Sequence, residues 1–391
     1  MSEPAAHKKI VIIGLGLIGG SIGLALKKAG LRGVEIVGHD LEHGNENLAK
    51  KIGAIDRGEH SLPRAVSGAG LVIIASPILT VREVFQQIAP DLAAGAIVTD
   101  TASTKAYVMR WASEELPESV SFIGGHPMAG KETQGIQNAE ADLFQDRPWV
   151  LVPSVAADPP AVRSMVGLVQ LVGAQPLFMD ADEHDQYAAA VSHMPLMMST
   201  ALFTLLHSSP AWPDMGGMAA GGFRDMTRLA GGDPAMSHGI WRTNREAVIH
   251  WLERMSAEML RFRDMLQDAR DEDLLETFAS AQLKREQFLA EPPRRVPAEG
   301  VGRQVDGNKA LMDMLIGGMM ADQLRRAQNI PELMRQPLPD PPAKRGKEGE
   351  DAPAPAQGKK KMTLGDKIAD DIRRDLAKLE KKRAEKADKE K

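Results

Sequence analysis

The chain has 391 residues, 43% of them hydrophobic, a formal charge of −5 at neutral pH and no cysteine. That length supports two domains with a sizeable core, and the charge balance gives no global footprint for nucleic acid. The absence of cysteine excludes disulfides, thiolate nucleophiles and Cys-ligated zinc, and fits a reducing compartment. Residues 2–10 are polar before they enter an apolar strand, so no signal peptide is expected. Apolar stretches are broken by glycines and charges short of a membrane span, and the expectation is a soluble, cytoplasmic protein with no membrane partner.

The first half alternates short β-rich runs with helical patterns, the sequence form of a doubly wound parallel α/β sheet. Strands are expected at 9–13, 33–39, 71–75, 96–100, 121–124, 149–153 and 175–179. The first runs straight into Gly14-Leu15-Gly16-Leu17-Ile18-Gly19, which opens a helix ending near Lys28. A glycine string of this kind is weak alone and strong in a strand–turn–helix context. The first glycine permits a tight turn, the second lets backbone approach a pyrophosphate, and the third lets helix and strand pack closely. The phosphates then meet the N–H groups at the helix N-terminus. Asp40 closes the second strand, where a carboxylate accepts from ribose hydroxyls and repels a 2′-phosphate, so the expected cofactor is NAD rather than NADP.

Ser76-Pro77 closes the third strand and Asp100-Thr101-Ala102-Ser103-Thr104-Lys105 the fourth, both at strand carboxyl ends where open α/β sheets bind ligands. Ser103 can offer a hydroxyl and Lys105 a charge; equally, Ser103 or Thr104 can cap the next helix. Next comes Gly124-Gly125-His126-Pro127-Met128-Ala129-Gly130, which sets one histidine in a glycine-rich irregular segment. A group titrating near neutrality is suited there to general-base work, or to hydrogen bonding within a turn. From about Asp182 helical periodicity takes over, with long helices expected at 185–206 and 241–265. The expected organisation is a Rossmann domain at 8–181 and an all-helical domain at 182–291. A C-terminal extension at 292–336 would carry a helix at 308–326, followed by a disordered linker and charged tail at 337–391. Residues 359–391 hold 13 Lys or Arg and 8 Asp or Glu, and Leu364, Ile368, Ile372, Leu376 and Leu379 form a narrow helical stripe, read as a solvated helix or a docking one.

The glycine fingerprint, Asp40, the DTASTK segment and GGHPMAG in this order resemble the prephenate/arogenate dehydrogenases of tyrosine biosynthesis. The likeness continues through Asp182-Glu183-His184-Asp185, Val191-Ser192-His193-Met194-Pro195 and the run 221–228, and spans about residues 8–290. It implies a Rossmann domain joined to a helical dimerisation domain, hence a homodimer. The implied reaction passes a hydride from prephenate, or from its amino analogue arogenate, to NAD with loss of the ring carboxylate. His126 is implied as the group that accepts or polarises the ring hydroxyl proton, with Ser103 hydrogen-bonding the same hydroxyl and helping place the nicotinamide. His193 is implied near the substrate, and Arg228 and Arg224 as cations for its carboxylates, Arg224 alternatively pairing with Asp225 or a partner subunit. Glu132 is implied in the choice of substrate side chain, with prephenate favoured. His184 is read as organising the domain junction. No metal is expected. The chain departs from the family pattern at Leu196, where many members carry a second histidine, and at Ser237, where many carry an aromatic residue; Trp241 could fill that space. Residues 296–391 show no strand–helix alternation of the kind an amino-acid-sensing ACT domain requires.

Overall fold

A computed structural model describes residues 8–131 and 133–293; Glu132, the extension helix at 308–326 and the linker and tail at 337–391 lie outside the described residues. The strands are β1 (Lys8–Ile13), β2 (Val34–His39), β3 (Arg57–Gly58), β4 (Leu71–Ile74), β5 (Ile97–Asp100), β6 (Ser121–Pro127), β7 (Pro148–Pro153) and β8 (Gln175–Phe178). They form one sheet in the order β3-β2-β1-β4-β5-β6-β7-β8. Every pairing from β3 to β6 is parallel, β7 runs antiparallel to β6, and β8 is parallel to β7. The wholly parallel sheet expected from the sequence is therefore corrected at one step. A parallel return needs a crossover, usually a helix, and among the described residues between β6 and β7 only the 3-10 turn Ile136–Asn138 occurs. The two-residue β3 was missed because it is too short to carry an alternation.

Helices α1 (Leu17–Lys28), α2 (His43–Lys51), α3 (Leu62–Val66), α4 (Ile78–Ile88), α5 (Ala106–Glu115) and α6 (Pro159–Leu171) complete this part. Alternation along β1 sorts them onto two faces. Ile10 and Ile12 join Ile22, Leu26 and Met165 in one core cluster, while Val11 and Ile13 join Val81, Phe85 and Val108 in the other. Leu71–Ile74 is buried throughout, which is why a strand covered on both faces reads as an unbroken apolar run.

After β8 the described residues contain helices only: α7 (Ala181–Ala188), a π turn (Ala189–His193), α8 (Met194–His207), α9 (Trp212–Gly217), α10 (Gly221–Thr227), α11 (Pro234–Thr243), α12 (Arg245–Gln267) and α13 (Asp271–Ala290). The single helix expected at 241–265 is broken at Asn244, whose backbone leaves the helical region at φ −139°, ψ 37°. Its side chain is turned inward instead, donating to the Asp185 carbonyl at 2.7 Å. Ala189, Ala247 and Val248 form a small core with Trp241 against it, so Trp241 is committed there. By packing, the chain divides into a unit through Met255 and a unit beginning at Ser256.

The stretch Ala181–His207 is, by length and composition, long and apolar enough to cross a membrane, and 17% of its most apolar window is buried. This is longer than the interrupted apolar runs expected from the sequence. This stretch nevertheless carries buried His184, Asp185 and His193, and Asp185 is bound to backbone at the start of α5. Those ties make it part of the folded unit.

Candidate active site

The glycine loop is shaped as the fingerprint requires. Gly14 has φ +92°, and a Cβ there would lie 2.7 Å from the backbone of Ala75 and Ser76. A Cβ on Gly19 would lie 1.9 Å from the Gly14 carbonyl oxygen, whereas one on Gly16 would meet nothing within 4 Å. Two glycines are thus demanded by the protein itself, and beside the other is room that a pyrophosphate would fill at the N-terminus of α1. Asp40, expected to meet a ribose, has partners within the protein. Its Oδ2 accepts from Leu15 N at 2.7 Å, and its Oδ1 from Glu42 N at 2.9 Å and Asn45 Nδ2 at 3.0 Å, so the carboxylate also pins the glycine loop. Ser76 is half-buried, with its Oγ accepting from Thr80 at 3.0 Å, and Pro77 beside it is exposed. The residues present therefore fit a dinucleotide. Gly19→Ala is expected to abolish saturable NAD binding in a fluorescence titration and to lower the melting temperature; unchanged binding would contradict the close approach.

His126 lies in β6 rather than in an irregular loop, which corrects the sequence reading. Gly-Gly-His-Pro continues the strand because β7 pairs with it, His126 opposite Val150. The parallel partner β5 stops pairing at Thr99–Ile123, so His126 projects past the carboxyl edge of the parallel sheet. A Cβ on Gly125 would come within 2.4 Å of the Asp100 carbonyl oxygen, so the glycine before His126 lets β6 pass the end of β5.

His126 is 8% exposed and stands in a chain of buried polar groups. Its Nδ1 is 2.8 Å from His184 Nε2, and His184 Nδ1 is 2.7 Å from Asp185 Oδ1. The Asp185 carboxylate also accepts from Lys105 N at 2.7 Å and Ala106 N at 2.9 Å, capping α5 from 80 residues away. Capping by Ser103 or Thr104, the alternative the sequence left open, is thus replaced by a cap from Asp185. The proton order follows. A carboxylate only accepts, so His184 carries a proton on Nδ1; with that ring in its neutral form Nε2 presents a lone pair, and His126 donates from Nδ1 and keeps its own lone pair on Nε2.

A second imidazole is arranged in the opposite sense. His193 is fully buried, and Asn244 Nδ2 lies 3.2 Å from its Nδ1. An amide nitrogen can only donate, so His193 Nδ1 accepts and Nε2 carries the proton. That buried Nε2 has no hydrogen-bond partner among the described residues, so it is an unsatisfied donor. His184 and His193 are nine residues apart, roughly 180° around a regular helix at 3.6 residues per turn. The π turn Ala189–His193 subtracts part of that rotation, and both rings end up buried.

Burial pushes the His126 pKa well below its ordinary value, with nearby His184, Lys105 and His193 acting in the same direction. Burial likewise takes His193 down to about 4, against the pull of Asp185. Both rings are neutral at pH 7. Lys105, expected to offer a charge to ligands, is fully buried and paired with Asp100. Burial lowers its pKa while Asp100 opposes that shift. Asp100 also accepts from Ala102 N at 2.8 Å and Gly125 N at 3.0 Å, tying the fourth-strand motif to the His126 segment.

Of the residues singled out in the sequence, His126, His193 and Ser103 come together: both histidines are buried in one electrostatic neighbourhood, and the Ser103 backbone lies against His193. Arg224 and Arg228 are exposed on α10 and the turn after it, a segment held to α8 by Ala230 N donating to the buried Ser199 Oγ at 3.0 Å. Reasoning from sequence missed the roles of Asp185, Asn244, Lys105 and Asp100. Only the Asp-x-x-x-x-Lys spacing across a strand end hinted at one of these pairings.

Comparison with known proteins bears on both parts of the chain. Residues 22–177 match the family described as prephenate dehydrogenase, nucleotide-binding domain, and residues 180–280 match prephenate dehydrogenase, dimerization domain. The chain is 33% identical over 291 residues to the prephenate dehydrogenase of Bacillus subtilis, covering 74% of this chain and 78% of that protein. Prephenate dehydrogenase from Aquifex aeolicus, solved with hydroxyphenyl propionate and NAD+, superposes with a TM-score of 0.67 at 28% identity, covering 72% of this chain and 98% of that one. Arogenate dehydrogenase from Synechocystis superposes with a TM-score of 0.62, also at 28% identity, covering 72% and 99%.

Proposed function

The chain belongs to the prephenate dehydrogenase family, and from that premise we propose that it catalyses the NAD-dependent oxidative decarboxylation of prephenate to 4-hydroxyphenylpyruvate. The observation that carries the catalytic reading is the Asp185–His184–His126 chain, which leaves a buried neutral imidazole with its lone pair on Nε2. We assign residues 8–181 to the cofactor and 182–291 to substrate and dimer contacts, a reading supported by the family matches over 22–177 and 180–280.

Gly14, Leu15, Gly16, Leu17, Ile18 and Gly19 would hold the pyrophosphate, Asp40 the adenosine ribose, and Ser76, Pro77 and Ser103 the nicotinamide side. When bound, NAD supplies the hydride acceptor. His126 Nε2 takes the proton of the ring hydroxyl as the hydride leaves the carbon bearing it. Loss of the ring carboxylate as carbon dioxide then yields an aromatic oxyanion, and His126 returns the same proton to that oxygen. The overall conversion of prephenate releases no proton, so His126 is restored in each cycle. The His193 Nε2–H, with no hydrogen-bond partner among the described residues, is suited to donate to a substrate oxygen. Arg228 and Arg224 are assigned to the substrate carboxylates, where a guanidinium fork accommodates two oxygens. Glu132 is assigned to side-chain choice.

We propose a cytoplasmic homodimer. The family match to a dimerization domain supports it, as does the apolar surface of α8 and α10, where Phe203, Leu205 and Met226 are exposed. The purified protein is expected to turn over prephenate with NAD, followed by the near-ultraviolet absorbance of the reduced cofactor. No turnover of prephenate or arogenate with either NAD or NADP would defeat the enzymatic reading, and arogenate turnover alone would move the preference to the amino substrate.

The pH profile is a separate check. A base works deprotonated, so activity persists above the folded pKa of His126 and is lost as the pH falls through it. Because burial lowers that pKa, the acid limb of kcat/KM is expected well below pH 6.5. A limb at or above 6.5 would mean that another group titrates.

A further inference from the structure

Away from the histidine chain, the carboxyl end of β2 and the turn after β3 gather a buried carboxylate and three imidazoles. Glu46 on α2 is 6% exposed. His43 Nδ1 lies 3.3 Å from its Oε2 and His60 Nδ1 lies 3.4 Å from its Oε1. One donor atom from each of His43, Glu46 and His60 falls within 4.8 Å of the others, and the two imidazoles stack with centroids 3.6 Å apart. Among the described residues the cationic partners of Glu46 within 4.0 Å are histidines alone, with no Lys or Arg. A buried carboxylate needs a counter-charge, and two stacked rings cannot both become imidazolium without repelling one another.

A divalent ion held between the two imidazoles and the carboxylate would satisfy all three. Ligand atoms about 2.0–2.2 Å from a tetrahedral ion stand about 3.3–3.5 Å apart. The two Nδ1-to-carboxylate separations, 3.3 Å from His43 to Oε2 and 3.4 Å from His60 to Oε1, fall in that range, one to each carboxylate oxygen. His39 stays outside this set. Its Nδ1 is 3.0 Å from the Glu59 carbonyl oxygen, which can only accept, so that nitrogen carries a proton and has no lone pair to give. Two imidazoles and one carboxylate suit zinc-class ions, and the exposure of His43 and His60 leaves a fourth position open to water.

We propose that His43, Glu46 and His60 form a binding site for a divalent transition-metal ion of the zinc class. Glu46 Oε1 also accepts from Asp40 N at 3.1 Å, so the ion sits against the loop that carries the ribose-facing carboxylate. The test is calorimetric titration of Zn2+ into the full-length protein, freed of any affinity tag and stripped with a chelator. One equivalent is expected to bind in the micromolar range or tighter, and His43→Ala and His60→Ala are each expected to weaken it about tenfold or more. Co2+ should report the same site by visible ligand-field absorption that disappears in His60→Ala. Both replaced side chains are largely exposed, so folding should survive, and circular dichroism checks it. Absence of saturable binding, binding only at millimolar Zn2+, or binding unchanged in both variants would overturn the proposal and leave the imidazoles as ion-pair partners of Glu46.

Discussion

His126→Asn is expected to lower kcat by roughly 10²- to 10⁴-fold while the dissociation constant for NAD stays at its wild-type value. The size of the loss reflects what is removed: a neutral ring whose Nδ1 is held 2.8 Å from His184 Nε2 and whose Nε2 is left with a lone pair. Asparagine can occupy the volume and can still donate toward His184, but its amide has no basic nitrogen. NAD affinity should be spared because the glycine loop and Asp40 are built from β1, α1 and β2, with hydrogen bonds that do not involve His126. Steady-state kinetics paired with an independent NAD titration separates the two. Full retention of kcat would remove His126 from the reaction, and loss of NAD binding would show that the ring supports the fold instead.

Asp185→Asn is expected to cost on the order of 10²-fold or more in kcat through the tautomers it imposes. The native carboxylate accepts from two backbone N–H groups and from His184 Nδ1, and an amide has one acceptor oxygen for these three donors. If that oxygen takes the Oδ2 place on Ala106 N, the new NH2 takes the Oδ1 place and faces both Lys105 N and His184 Nδ1. His184 must then accept at Nδ1 and donate from Nε2, and His126 must in turn accept at Nδ1 and carry its proton on Nε2. The base is thereby converted to a donor. Capping of α5 should weaken as well, by about 1 kcal/mol. A purely structural role predicts a lower melting temperature with unchanged kcat in the folded protein. The relay predicts reduced kcat at temperatures where the variant is fully folded, with partial recovery in Asp185→Glu.

Much of the first half was legible because its signals are local. A glycine that must have φ +92° or must pack within van der Waals contact of another turn leaves a fixed spacing in the sequence, and a strand buried on both faces leaves an unbroken apolar run. The antiparallel step at β7 was not legible, since strand direction depends on which edge the chain returns to. The break at Asn244 was hidden for a related reason. Helical periodicity runs through it, and the asparagine leaves the helix to reach Asp185 and His193, partners 59 and 51 residues away.

The active site divides in the same way. His126, His193 and Ser103 could be singled out as candidates because the motifs that carry the family resemblance contain them in order. What those motifs could not contain is the protonation pattern. Whether an imidazole nitrogen accepts or donates is set by the atom facing its other nitrogen, and for His126 that atom is on His184, 58 residues on, while for His193 it is on Asn244. The sequence by itself determined the βα-then-helical architecture and the dinucleotide loop, since each depends on short-range backbone geometry or hydrophobic period, while His126 was singled out through the motifs that carry the family resemblance. The tertiary structure alone decided that His126 holds a lone pair and His193 a proton, that Lys105 is consumed by Asp100, and that α5 is capped by Asp185, because each is fixed by a buried polar contact whose partners are brought together only when the chain folds.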